Sequence, residues 1–227
     1  MRPYADAFVR WRSGEAEQRT FDIDLGDIRL QGRLDQLYPA GLARFRFEAL
    51  HGPSQIAHGL DWLVLSALGD ARALAQFAET AAGPGPHLRD PIPPAQACAA
   101  LRALVTLRAW GLRDPLPFLS RAGWLWYDAR ANGKDGWPKA EAQWRGSARS
   151  WGEAGTASAR LALRGHDPFD DDALGEDFRR IAELVFDAVV HGRSEGEAGC
   201  LQTEGSRAAE RPQAAPVGRN NAQDRLP

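Results

Sequence analysis

Between Phe21 and Leu50 apolar residues recur at alternate positions: Phe21, Ile23 and Leu25, then Ile28, Leu30 and Leu34, then Phe45, Phe47 and Ala49. This is the period of half-buried strands, and Pro39-Ala40-Gly41 supplies a turn between two arms. Elsewhere the period is helical. Tyr4, Phe8, Val9 and Trp11 are spaced like a short helix in the opening segment. Ile56, Leu60, Leu63, Val64 and Ala67 line one face of a helix from Gln55 to Leu68, capped by Ser54 and stopped by Gly69. Ala97, Leu101, Leu104 and Val105 line a second, from Ala95 to Trp110, opened by Pro94 and ended by Gly111. Pro138 opens a third that reaches Ser150, and Leu174, Phe178, Ile181, Ala182, Val185 and Val189 line a last one from Asp171 to His191. Two further segments read as extended: 71–80, where Leu74 and Phe77 also fit a helix, and Leu161–Gly165. Residues 81–94 form a loop by their glycine and proline content. Beyond Gly192 large apolar residues become scarce, which predicts a disordered tail over 192–227. The expected organisation is a connecting segment over 1–20 and one domain over 21–191.

The polar positions of the strand arms bear the chemistry. Arg29, Gln31, Arg33 and Asp35 lie on the first, and Arg44, Arg46 and Glu48 on the second. A carboxylate late in one strand, followed after a turn by an acidic residue, a spacer and a lysine, is how metal-dependent nucleases hold a divalent cation. The carboxylates ligate through oxygen, and the lysine offsets charge developing on phosphate. Here Glu48-Ala49-Leu50 puts leucine in the lysine position. The ligand scaffold Asp35 and Glu48 is present and the phosphate-facing cation is not, so the site reads as catalytically degenerate, with no metal expected.

Gly32-Arg33-Leu34-Asp35, Gly41-Leu42-Ala43-Arg44-Phe45-Arg46 and Asp61-Trp62-Leu63-Val64-Leu65 together resemble the C-terminal domain of RecC, the gamma subunit of exodeoxyribonuclease V. Pro115-Leu116-Pro117-Phe118, Gly123-Trp124, Trp144-Arg145-Gly146 with Gly152-Glu153, and Leu163-Arg164-Gly165-His166-Asp167-Pro168 continue the match in order, from about Gly26 to His191. The resemblance implies an α/β restriction-endonuclease-like fold of the PD-(D/E)XK type, a mixed central sheet flanked by helices, inactive as a nuclease. It implies a non-catalytic scaffold in a RecBCD-type helicase-nuclease of double-strand-break repair and DNA end processing. The partners would be RecB-like and RecD-like subunits, with DNA met through the complex. ATP and Mg²⁺ would be used by those subunits, with no cofactor in this chain. A fragment, a split gene and a free-standing domain all fit its start at Met1. Two rival readings stay open: an active nuclease in which Gln55 or His58 replaces the lysine, and an interaction module with no DNA role.

Charge narrows the binding classes. The formal net charge of −2 excludes binding to nucleic acid by bulk charge alone, and leaves local groups: Arg33, Arg44, Arg46, Arg102 and Arg108 are the DNA-contact candidates. Trp124, Trp126, Trp137, Trp144 and Trp151 crowd one stretch, and such a run suits a core, a partner surface or base stacking. They are the partner-interface candidates. The histidines show no HExxH-type pairing and no Walker A motif occurs. Cys98 and Cys200 read as free thiols. No apolar run approaches the ~18 residues of a membrane span, no signal-peptide core opens the chain, and a cytoplasmic location without membrane contact is expected.

Overall fold

The computed structural model describes residues 2–147 and 150–194. A five-stranded mixed sheet in the order β1-β2-β3-β4-β5 forms its centre. The strands are β1 Glu17–Asp24, β2 Arg29–Tyr38, β3 Gly41–Phe45, β4 Leu74–Phe77 and β5 His87–Arg89. Helices α1 Arg2–Trp11, α2 Gly52–Ala67 and α3 Pro94–Gly111 flank the sheet. Then follow α4 Ser120–Ala131, α5 Trp137–Arg145, α6 Ala157–Leu163 and α7 Asp172–Phe186, the last running into a π-helical turn over Asp187–His191.

The alternating stretch becomes an antiparallel meander rather than a single hairpin, because the first arm itself turns at Gly26-Asp27 between β1 and β2. Phe21 lies opposite Gly32, and a Cβ on Gly32 would sit 2.6 Å from the Phe21 ring. At the far end of β2 the register slips, from Arg19↔Leu34 to Glu17↔Leu37. Asp35 and Gln36 therefore share the space opposite one residue, a bulge, with Gln36 at φ +61. The bulge turns Leu34 and Leu37, three apart, to the same core. Pairing of β2 with β3 is confined to Leu37↔Leu42 and Tyr38↔Gly41. β3 ends at Phe45, two residues before the exposed Phe47, so the expected strand positions at Phe47 and Ala49 are irregular.

After β3 the chain crosses over through α2 to place β4 parallel to β3. The cap of α2 is His51: its Nδ1 accepts from the Ser54 amide, and the Ser54 Oγ accepts from the His51 amide at 2.8 Å. Ser54 is thus the inner partner of a capping box, not the cap residue itself. One sheet face meets α2 and α3 through Leu34, Leu37, Leu42, Leu63, Leu65, Leu74 and Leu101. The other is covered by α1, whose Phe8 and Trp11 pack on Tyr38, Phe45 and Phe77. The opening segment therefore holds a helix and the start of β1 on the sheet itself.

A second core lies among α4, α5, α6 and α7, where Trp126, Trp144, Phe178 and Phe186 are buried. The Glu153 carboxylate accepts from the Arg121 and Ala122 amides at 3.1 and 3.0 Å, capping α4 from a distant part of the chain. Gly52 and Gly59 join the two cores, since a side chain on either would strike the backbone of Ser120 or Val189.

Four elements differ from expectation, the first being the helix expected to reach Ser150, which ends at Arg145 before Gly146. Residues 161–165 do not form a strand: α6 ends at Leu163, Thr156 caps it by accepting from the Ala159 amide at 3.2 Å, and Arg164 at φ +51 ends it. The loop 81–94 includes the short β5, and α4 occupies residues given no element. Segment 71–80 does contain a strand, β4. Of the tail over 192–227, residues 195–227, with Cys200, lie outside the described residues. No helix among the described residues is long and apolar enough to cross a membrane.

Candidate functional site

On the sheet face toward α2, Leu42 and Arg44 of β3 stand beside Leu74 and Gln76 of β4. The inner pair is apolar and the outer pair polar, so one polar rung ends an otherwise aliphatic face. Two turns of α2 bring His58 and Asp61 against it. The Arg44 Nε donates to Asp61 at 2.6 Å, and its Nη1 donates to the carbonyls of Asp35 at 2.9 Å and Ala43 at 2.8 Å. One guanidinium thus ties β2, β3 and α2. Beside it the Gln76 amide donates to the His58 Nδ1 at 3.1 Å.

Burial sets the electrostatics here. His58 is 6% exposed, and loss of water first, then the positive field of Arg44, pulls its pKa down to about 4. Arg89 of β5, opposite Leu74, stacks over Trp62 at 4.9 Å and donates to the Val189 carbonyl at 2.7 Å. Desolvation lowers its pKa to about 10, which leaves it charged at neutral pH. The Gln55 Oε1, on α2, is buried without a hydrogen-bond partner among the described residues. The rung holds elements together: the Arg44 Nε and Nη1 are engaged by three acceptors, and the His58 imidazole is neutral at pH 7.

Asp35 sits at the β2 bulge, where its carboxylate pairs with Arg33 Nε at 2.9 Å, both side chains about half exposed. Glu48 lies in the bend beyond β3, 76% exposed, paired with Arg46 at 2.7 Å. Each carboxylate thus pairs with the arginine two residues before it. Leu50 is half-buried in the loop before α2. No group of three or more His, Cys, Asp and Glu among the described residues is placed to hold a metal ion.

The remaining candidates scatter. Arg102 donates from α3 to the Leu25 carbonyl at 2.9 Å. Arg108 is exposed in the last turn of α3. Trp126 and Trp144 are core residues at 7% and 1% exposure, and Trp124 and Trp137 pack against the same core. Burial leaves Trp126 and Trp144 almost no surface to offer a partner; Trp151, at 58%, is the one that faces out. Sequence reading assigned no role to Gln76 or Arg89, and Asp61 entered only as part of a family-like motif. Polar residues inside buried runs, Arg44 in GLARF and Gln76 in LAQF, were the available signal, since a buried polar group needs a partner.

A model of the RecC C-terminal domain matches residues 1–131. Two curated relatives, each described as RecBCD enzyme subunit RecC, come from Mycobacterium tuberculosis strains CDC 1551 / Oshkosh and ATCC 25618 / H37Rv. Each is 27% identical over 147 residues, which is 63% of this chain and 13% of the relative. The chain thus spans about 13% of the length of the curated relatives it matches.

Proposed function

Because this chain belongs to the RecC C-terminal domain family, we propose that it is a non-catalytic scaffold domain of a RecBCD-type helicase-nuclease acting in double-strand-break repair and DNA end processing. Its fold is a degenerate restriction-endonuclease-like one. The meander that bears Asp35 and Glu48, followed by a crossover helix and a parallel strand, supports this assignment. RecB-like and RecD-like subunits are its partners, and DNA reaches it through them; ATP and Mg²⁺ are used by those subunits.

The observation that carries the non-catalytic role is the local arginine pairing of both carboxylates, Asp35 with Arg33 and Glu48 with Arg46, together with leucine at position 50. A carboxylate that already neutralises a guanidinium is a poor ligand for a hydrated cation, and nothing at position 50 offsets phosphate charge. The test is incubation of the purified chain with linear duplex and single-stranded DNA in Mg²⁺ or Mn²⁺. No degradation is expected. Degradation that disappears in Asp35→Ala would overturn the non-catalytic reading, and failure to co-purify with RecB-like and RecD-like subunits would overturn the scaffold reading.

A further inference from the structure

Leu112 and Leu161, 70% and 78% exposed, are the most exposed large apolar side chains among the described residues. They come from elements 49 positions apart in sequence and line the same open groove of about 430 Å³, between the C-terminal end of α3 and α6. Neither is demanded by the fold. In α6 the buried positions are Ala159 and Leu163, so a polar residue at 161 would satisfy the helix equally well and remain in water.

The charge around the groove is one-sided. Arg113 and Arg164 line it, against the single carboxylate Asp114. Arg108 precedes Leu112 by four residues on the same end of α3, and Arg160 precedes Leu161 in α6. All four arginines are exposed, and none has a side-chain hydrogen bond or ion pair among the described residues. Some exposed guanidinium groups elsewhere are engaged, Arg29 by Asp22, Arg33 by Asp35, and Arg145 by Glu141, Asp167 and Asp170, and others such as Arg2 and Arg10 are not, among the described residues; what sets this groove apart is that its free cations surround two exposed leucines. Compensation of a helix C-terminus accounts for a cation in a last turn, but not for the two leucines between the cations.

We propose that this groove docks an acidic segment of a partner polypeptide, one that sets apolar side chains on Leu112 and Leu161 and carboxylates against Arg113 and Arg164. A groove this size lies within the roughly 300–1,000 Å³ of ligand clefts. The chemistry distinguishes a polypeptide from nucleic acid. Single strands are held by aromatic platforms beside the cations, and no aromatic ring lines this groove. Aliphatic side chains ringed by arginine match an amphipathic helix with an acidic border. The inference goes beyond the scaffold reading and does not depend on which complex the chain joins.

The test is fluorescence anisotropy with the full chain and a labelled helical peptide bearing leucines at i, i+3 and i+7 flanked by glutamates. A lysine-flanked peptide with the same leucines and an oligothymidine strand serve as the alternative probes. Saturable binding of the glutamate peptide is expected, weakened at least about tenfold in Leu112→Ser/Leu161→Ser and in Arg113→Glu/Arg164→Glu. The second variant should gain affinity for the lysine peptide, which a misfolded protein would not do. Absence of saturable binding, or binding indifferent to both double variants, would overturn the proposal. So would oligothymidine binding that is lost in the arginine variant and kept in the leucine variant, since that result assigns the surface to nucleic acid.

Discussion

In the sheet half, from α1 to α3, aliphatic side chains dominate the core between the sheet and α2–α3, and three polar groups among them are matched to partners on other elements. Arg44 meets Asp61 and the Asp35 carbonyl, Gln76 meets His58, and Arg89 meets Val189. In the helical half, from α4 onward, ring packs on ring: Trp137, Trp144 and Phe169 all surround Phe178, with centroids 5.5 to 6.1 Å apart. Charges there stay at the rim, where Arg145 collects Glu141, Asp167 and Asp170. The first half is specified by directional pairs and the second by volume. Loss of one pair in the first should therefore cost less than loss of one ring in the second.

The largest effect expected is from Trp144→Ala, which empties a site at 1% exposure and should cost about 3–5 kcal/mol. Trp151→Ala, at 58% exposure, should stay within about 0.5 kcal/mol. Urea denaturation of the two variants checks both, and equal losses would erase the distinction between core and surface indoles.

Arg44→Ala should cost about 2 kcal/mol, because it leaves the partly buried Asp61 and the Asp35 carbonyl without their donor. Arg33→Ala removes an exposed pair and should cost about 0–1 kcal/mol. If the same denaturation series shows the two substitutions alike, the polar rung is not what ties β2 to α2.

The last effect expected is a pH dependence. Buried His58 stays neutral in the fold with its pKa at about 4, against an ordinary 6.5 in the unfolded chain. A lowered pKa of this kind contributes stability that is fully present above pH 6.5 and is lost as the pH falls toward 4. The loss should be on the order of 1–3 kcal/mol. Facing charges are Arg44, Asp61, Arg89 and Arg46. The midpoint of urea denaturation should fall across that range in the parent and fall less in His58→Gln, which retains a partner for Gln76.

Legibility followed the same division. The alternation of Phe21, Ile23 and Leu25 located β1, and the 3.6-residue stripes located α2, α3 and α7, because one buried face dictates each pattern. β5 escaped because three residues among prolines and glycines have no period. α6 was mistaken for a strand because Leu161 and Leu163 alternate, although only Leu163 is buried. The bulge at Asp35 and Gln36 also had no periodic signature, and it determines where the Asp35 carboxylate goes. Of the candidate site, Arg44 was marked as a DNA contact because its residue type fits one. Within the chain it pairs with Asp61, 17 residues on and on another element, and local spacing gives no account of such a meeting.

The order β1-β2-β3-β4-β5 means that each strand lies beside its neighbour in sequence, so no strand must be threaded between two already paired. The sheet can grow by addition at one edge as the chain leaves the ribosome, beginning with two short-range turns before the single crossover through α2. Low sequence separation of this kind favours rapid folding, and domains form from the N-terminal side during synthesis. One exception is Gly59, whose bare Cα seats the Val189 backbone. That contact needs a residue near the end of the described chain, so the seal between the two cores cannot close until Val189 has been made.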